Sequence, residues 1–254
     1  GAININNGGT LTGAATISNS VNLNDAGILS PAGKITIGIG GNLACASTGV
    51  MSFDLTTPSD TADDELQVNG NATVAGTVNV VAGAGFGVGT YLLISGTSIT
   101  NSGLILGTLP VGYSGSLSFT PTQVTLNVTP QTTYRWSGSV SSNFNNANNW
   151  VPAGIPNSGD ALVFGDTANF TTLNNNFPDV RTFFSVTFDN SGFVLDGTGI
   201  AISASGLSNT VGSNTINLPL TIGTACTITV NAGTTLTVGG TINNSGFQTT
   251  INTA

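Results

Sequence analysis

Ile3-Asn-Ile-Asn-Asn-Gly-Gly-Thr-Leu-Thr-Gly-Ala-Ala-Thr-Ile17 aligns without gaps on Ile228-Thr-Val-Asn-Ala-Gly-Thr-Thr-Leu-Thr-Val-Gly-Gly-Thr-Ile242, with eight of fifteen residues identical. Each copy reads as a short alternating run, an Asn-x-Gly turn, a second run around Leu11 or Leu236, and a third apolar position at Ile17 or Ile242. Alternation over so few residues marks half-buried strands, not helix turns. Self-similar strand-and-turn units with Ile, Leu and Val inward and Thr and Asn outward are what a β-solenoid circuit of about 20 residues requires.

The same alternation recurs outward from these two stretches, in Leu66-Gln-Val68, Val78-Asn-Val80, Val124-Thr-Leu126-Asn-Val128 and Ile216-Asn-Leu218. Gly, Asn-Gly, Ser-Gly and Ala-Gly interrupt it too often for a helix of three turns. Composition agrees: 39 Thr, 30 Asn and 35 Gly among 254 residues disfavour helix and suit strands and turns. The sequence predicts an all-β chain, a right-handed parallel β-helix (β-solenoid), with room for a small antiparallel β-sandwich around 86–128. Eight of the twelve Phe and both Trp crowd into 136–193, and Pro130 cannot donate to a ladder. Two units are therefore expected: 1–130, and 131–254 with an aromatic cap over 134–165.

Three cations (Lys34, Arg135, Arg181) face eleven acids, and histidine is absent. A net charge of -8 cannot displace counterions from phosphates, so nucleic acid is excluded as a partner. Anionic membrane surfaces are disfavoured by the same sign, and no apolar run of about 18 residues exists to span a bilayer. Without His, neither Ser nor Cys has an activating base. Cys45 and Cys226 make no disulfide framework or zinc site at this spacing; buried free thiols and a single bridge both stay open. Gly1 in place of Met fits a processed product or an excerpt of a longer chain.

At a further level the residues resemble a known group. Asn7-Gly-Gly-Thr-Leu-Thr-Gly13, Gly27-Ile-Leu-Ser-Pro-Ala-Gly33, Ile35-Thr-Ile37, Gly41-Asn-Leu43, Asp64-Glu-Leu-Gln-Val-Asn-Gly70, Val74-Ala-Gly-Thr-Val78 and Gly89-Thr-Tyr-Leu-Leu-Ile94 follow one another as in autotransporter-type passenger β-helices. Trp136-Ser-Gly138, Asn149-Trp150, Pro156 and Gly159-Asp-Ala-Leu-Val-Phe164 resemble the opening of another passenger region, of the kind found in surface proteins with autotransporter-associated β-strand repeats. The resemblance implies a secreted, structural or adhesive, non-enzymatic protein of the bacterial cell surface that needs no cofactor. The order is reversed, with end-type coils in 1–130 and start-type coils in 131–254, and no barrel segment follows.

Candidate sites are few. Asp60, Asp63, Asp64 and Glu65 are the one concentration of charge; calcium binding through Asp63, Asp64 and Glu65 is the weaker reading beside solvated acids at a strand entrance. Asp160 and Asp166 read as turn formers before an acid pair. Trp136, Phe144 and Trp150 could stack on sugars, with a hydrophobic cap as the stronger alternative. Lys34 reads as a solvated lysine. No catalytic residue and no cofactor are expected.

The end stretches carry no charge, Pro or aromatic over 1–10 and 248–254, so both expose strand edges suited to another chain. Copies of this chain, separate or in tandem, are the expected partners, meeting head to tail through Ile3, Ile5, Leu11, Ile242, Phe247 and Ile251 to build a fibre, filament or stalk. Ile3 of the next copy would then follow Ile228 after 29 residues, one circuit with a loop. The alternative function is a glycan-binding adhesin.

Overall fold

The computed structural model describes residues 1–37, 41–58, 63–165, 168–203 and 205–253. Among them there is no α-helix; a single 3-10 turn covers Ala147–Asn149. The chain divides into two units, Gly1–Pro130 and Gln131–Ala254.

In the first unit, β1 (Ile3–Ile5), β2 (Thr10–Ile17), β3 (Val21–Leu23), β4 (Ile28–Ile37), β5 (Leu43–Cys45) and β6 (Val50–Leu55) lead into β7 (Glu65–Ala82) and β8 (Gly89–Leu106). These pair in parallel, each strand on the equivalent strand of the next circuit: β1 on β3, β3 on β5, β2 on β4, β4 on β6 and β7. The long β7 bends through three directions, meeting β4, β5 and β6 with successive segments and then β8 along most of its length. In-register stacking lines like residues up: Leu11, Leu29, Met51, Val78 and Leu106 form one inward ladder. Equivalent residues lie 18 apart in the first circuits and up to 31 apart later.

β9 (Tyr113–Phe119) and β10 (Gln123–Pro130) end the unit differently, with β10 antiparallel to both β8 and β9. The antiparallel segment expected near 86–128 is therefore present, but as part of the same ten-stranded sheet and not as a sandwich of its own. Its side chains close that end: Val124, Leu126 and Val128 are buried, and Phe86 stacks on Tyr91 and meets Tyr113 edge-on.

The second unit opens with β11 (Thr133–Trp136) and the two-residue β12 (Trp150–Val151) antiparallel to it. Four circuits follow. The first is β13 (Ala161–Phe164), β14 (Thr172–Asn175) and β15 (Arg181–Phe183); the second is β16 (Ser185–Phe188), β17 (Val194–Gly197) and β18 (Ile200–Ile202). The third is β19 (Leu207–Asn209), β20 (Ser213–Ile216) and β21 (Leu220–Ile222), and the fourth β22 (Cys226–Val230), β23 (Thr235–Val238) and β24 (Ile242–Asn243), after which β25 (Thr249–Thr253) begins a fifth. Each strand pairs in parallel with the strand three later, so the chain visits three sheets in turn and returns one strand along. The repeat is even, 19 to 24 residues between paired positions.

Tight turns hold this spacing, and some accept only glycine. At Gly206 (φ 71°) a Cβ would sit 2.0 Å from the Thr227 carbonyl oxygen, so a side chain there would push two circuits apart. Buried amides close other corners: the Asn214 side chain donates to Asn209 Oδ1, to the Asn190 carbonyl and to the Val211 carbonyl, while accepting from the Phe193 amide. An amide does this without ionising, which is why Asn fills corners that no charge could enter cheaply.

Candidate functional site

The expected assembly residues lie on two edges. β1 and β2 hydrogen-bond on one side only, to β3 and β4, and β23, β24 and β25 only to β20, β21 and β22. Exposure follows from this. Ile3 is 37% exposed and Leu11 half-buried, while Val21 and Leu29, their partners one circuit in, are buried. Ile242 is 52% exposed over buried Leu220, and Ile251 is 70% exposed over buried Ile228. Phe247, 42% exposed, stands in the turn before β25.

Ile5 differs from the expectation. It is already buried within its own circuit, so it offers little new area. Leu236, Val238 and Val230 were missed, although alternation with Thr235 and Thr237 signalled an inward row; all three are only half-buried. After Ile228 no described residue is buried. The 29-residue circuit is corrected as well, because Ile251 already stacks on Ile228.

The acids are not solvated. Asp63 and Asp64 are buried, and each carboxylate is occupied by hydrogen bonds. Asp64 accepts from the Gly33 amide at 2.5 Å and the Asp54 amide at 2.7 Å, and Asp63 from the amide and hydroxyl of Thr56 at 2.6 and 2.7 Å. Glu65 pairs with Lys34 at 2.9 Å and accepts from the Ser95 hydroxyl at 2.6 Å. Asp63 and Asp64 thus brace separate stretches of backbone, while Glu65 is held by two side chains. Among the described residues no group of three His, Cys, Asp or Glu could hold a metal. Asp60 and Asp166 lie outside the described residues. Burial pushes the Asp64 carboxyl above the ordinary carboxylate value, the two amide bonds oppose this, and the neighbouring charges of Asp54 and Asp63 add to it.

Lys34 is ion-paired, not free, and Arg135 pairs with Asp189 at 3.0 Å. Arg181 meets Asp179 at 3.3 Å and lies 4.0 Å over the Phe177 ring. Asp160 spans a turn, its carboxylate accepting from the Thr132 and Asn157 amides at 2.8 and 2.7 Å.

Trp136, Phe144 and Trp150 present no ring face to solvent. All three are buried, with the Trp rings in an edge contact 4.8 Å apart and Phe144 between 5.3 and 5.4 Å from both. Their indole N–H groups donate to the Phe170 and Phe144 carbonyls, both at 2.9 Å. The sugar-stacking expectation is corrected: these rings form the closed end of the second unit. Phe144 continues inward as a stack through Phe164 to Phe188. Asn149 secures the loop over them, accepting from the Val140 and Ser141 amides and donating to the Ser141 hydroxyl and Asn143 carbonyl. Cys45 and Cys226 are free and buried; burial pushes the Cys45 thiol up to about 11 and raises Cys226 also.

The first unit ends on the antiparallel strands β8, β9 and β10, and the second begins at the aromatic cluster.

Against known proteins, the chain is 34% identical over 129 residues to the "Adhesin BmaC autotransporter" of Brucella suis biovar 1 (strain 1330). That alignment takes in 48% of the chain and 4% of the adhesin, so the chain spans a small fraction of the length of the relative it matches. The chain is similar to an autotransporter protein at this level. No protein family matches the chain, and no solved structure matches it. No helix among the described residues is long and apolar enough to cross a membrane.

Proposed function

We propose that the chain is a stretch of right-handed parallel β-helix from the bacterial cell exterior, non-enzymatic and without cofactor, whose work is to be long and stiff as part of a fibre, filament or stalk. The observation that carries this is the rung-on-rung parallel pairing of β1 to β8 and of β11 and β13 to β25. Parallel connections of this kind are right-handed almost without exception. Supporting it, the three cations are held in ion pairs, Asp63 and Asp64 accept from backbone amides, and Trp136, Phe144 and Trp150 are internal. The likeness to an autotransporter adhesin supports the surface location and the passenger-type β-helix. Sedimentation and negative-stain microscopy of the purified chain over a range of concentration test it: rods are expected, and compact particles showing antiparallel sheet by infrared spectroscopy overturn it.

The alternative is a glycan-binding adhesin, favoured by the relative's name. With Trp136, Phe144 and Trp150 internal, the contacts would fall on outward amides such as Asn22 and Asn24, which hydrogen-bond to Asn4 and Asn6 in a row. Glycan-array binding lost on joint replacement of Asn22 and Asn24 by Ala supports it; unchanged binding, or none in the unmodified chain, counts against it.

A further inference from the structure

We propose that Asn7 is a self-modifying residue: in the folded chain its side-chain amide closes on the Gly8 backbone nitrogen and becomes a carboxylate through the action of water alone. Asn69, in the other Asn-Gly pair of the sequence, is kept unreactive by the circuits around it. The site belongs to the first unit and is separate from the fibre and glycan readings above.

Asparagine is a thermally labile residue, and Asn-Gly is its most reactive setting because glycine places no Cβ beside its own amide nitrogen. The step balances without a redox partner. The Gly8 nitrogen gives up its proton and attacks Asn7 Cγ; the new C–N bond closes a succinimide ring, the Cγ–Nδ2 bond breaks, and the amide leaves as ammonia carrying that proton. One water then opens the ring. Addition at Cγ gives an ordinary aspartate, and addition at the main-chain carbonyl gives an isoaspartate whose backbone runs through the former side chain. Either product adds one negative charge to a chain already at -8. Asn24 Nδ2 donates to Asn6 Oδ1 at 2.8 Å, so the two turns stack and Asp25 holds the place of Asn7 one circuit on. The new carboxylate would stand about 4.8 Å from it, two like charges on adjacent rungs.

Ring closure needs the Asn-Gly peptide to rotate until its nitrogen faces Cγ, so what holds that peptide decides the rate. The turn over 6–9 is closed by the Gly9 amide donating to the Asn6 carbonyl at 2.7 Å, with Gly8 at φ 76°. Among the described residues nothing hydrogen-bonds to the Asn7 side chain, the Asn7 carbonyl or the Gly8 amide, and a Cβ on Gly8 would touch nothing. This freedom belongs to the turn and not to its place in the chain. Turns 24–27 and 46–49 repeat it, with the Gly27 and Gly49 amides donating to the Asn24 and Ala46 carbonyls at 3.0 Å. Both have a circuit on either side, yet Asp25, Ala26, Ser47 and Thr48 are all exposed and the peptides joining them make no backbone hydrogen bond. Asn69 is exposed too, but it lies inside β7. Its carbonyl accepts from the Thr97 hydroxyl at 3.0 Å, the Asn71 amide donates to Asn42 Oδ1 at 2.8 Å, and a Cβ on Gly70 would lie 2.4 Å from the Gly41 carbonyl oxygen. Rotating that peptide breaks both bonds and presses Gly70 into the neighbouring circuit. The same dipeptide is therefore free at one site and clamped at the other.

The test ages the full chain in warm neutral buffer, folded and in parallel in urea, and follows both sites by fragment mass spectrometry of peptic digests, with isoaspartate scored by enzymatic methylation. In urea Asn7 and Asn69 should convert at similar rates. In the folded chain Asn7 should stay within about threefold of its rate in urea, while Asn69 should fall behind by about tenfold or more because its conversion waits on local opening. Gly8→Ala should slow position 7 by about tenfold and leave Asn69 unchanged. The turn tolerates it, since Ala26 holds the equivalent place at φ 49°. Equal rates at the two sites in the folded chain overturn the proposal, as does an Asn7 still intact when the chain in urea has converted. A Gly8→Ala chain that converts position 7 at the parent rate overturns the ring-closure route. The comparison of folded with denatured parent decides the matter even if that variant folds poorly.

Discussion

Replacing Asp64 with Ala removes a carboxylate that ties β4 to β6 through side-chain acceptance. Its two oxygens satisfy the Gly33 and Asp54 amides, 31 and 10 residues away, in a site that water scarcely reaches. Alanine leaves both amides, which are part-buried, without this acceptor, so the cost per amide is at most that of a fully buried one. Each orphaned group costs about 1–3 kcal/mol, so the gross loss is about 2–6 kcal/mol. Relief of the desolvation that raises this carboxyl returns part of it. A net loss of about 2–4 kcal/mol is expected, against about 0.5 kcal/mol or less for a solvated surface acid. Urea unfolding at constant m reads it. Both Trp lie in the second unit, so far-ultraviolet circular dichroism and Tyr fluorescence should show the shift and Trp fluorescence should show it least. A variant within 0.5 kcal/mol of the parent would refute the reasoning and restore Asp64 as an ordinary solvated acid.

The same carboxyl gives a pH signature. Its folded pKa lies above the unfolded value, so the native state holds the extra proton and stability contributed here is greatest below that range and falls as pH rises through the folded value; the stability difference between parent and Asp64→Asn should grow in the parent's favour on acidification, and a difference that shrinks refutes the direction. Trp150→Ala should cost about 3–5 kcal/mol through a cavity in the closed end, read by thermal melting, whereas a stable variant that merely loses sugar binding would reinstate the exposed platform. Asn149→Ala, which strands several loop groups at once, should cost about 2–4 kcal/mol and red-shift Trp emission; an unchanged spectrum would deny its role over the cluster. Thiol titration should find Cys45 and Cys226 unreactive in the native chain and both reactive in denaturant, as burial holds both thiols protonated. Prompt native reaction at either would contradict its burial.

Strand identity was legible in the chain because alternation is a local property: Ile228-Thr-Val230 and Leu236-Thr-Val238 state which residues face inward before any neighbour is known. Turns were legible for the same reason, since Gly and Asn are chosen for backbone angles set within a few residues. The similarity of Ile3–Ile17 to Ile228–Ile242 likewise announced circuits of one kind. What lay beyond the sequence was everything decided by a residue one or more circuits away. Asp64 looked like a surface acid because nothing near it in sequence shows that Gly33 donates to it. Trp136 and Trp150 looked equally suited to a sugar or a core until Phe144 and Phe164 closed around them. Ile5 and Ile3 are the same residue type two positions apart and both face inward, yet the fold buries one and leaves the other open. Local chemistry fixes direction and rhythm in such a chain, while burial and pairing belong to whichever strand lies across a gap of about 4.8 Å, and only the tertiary structure names it.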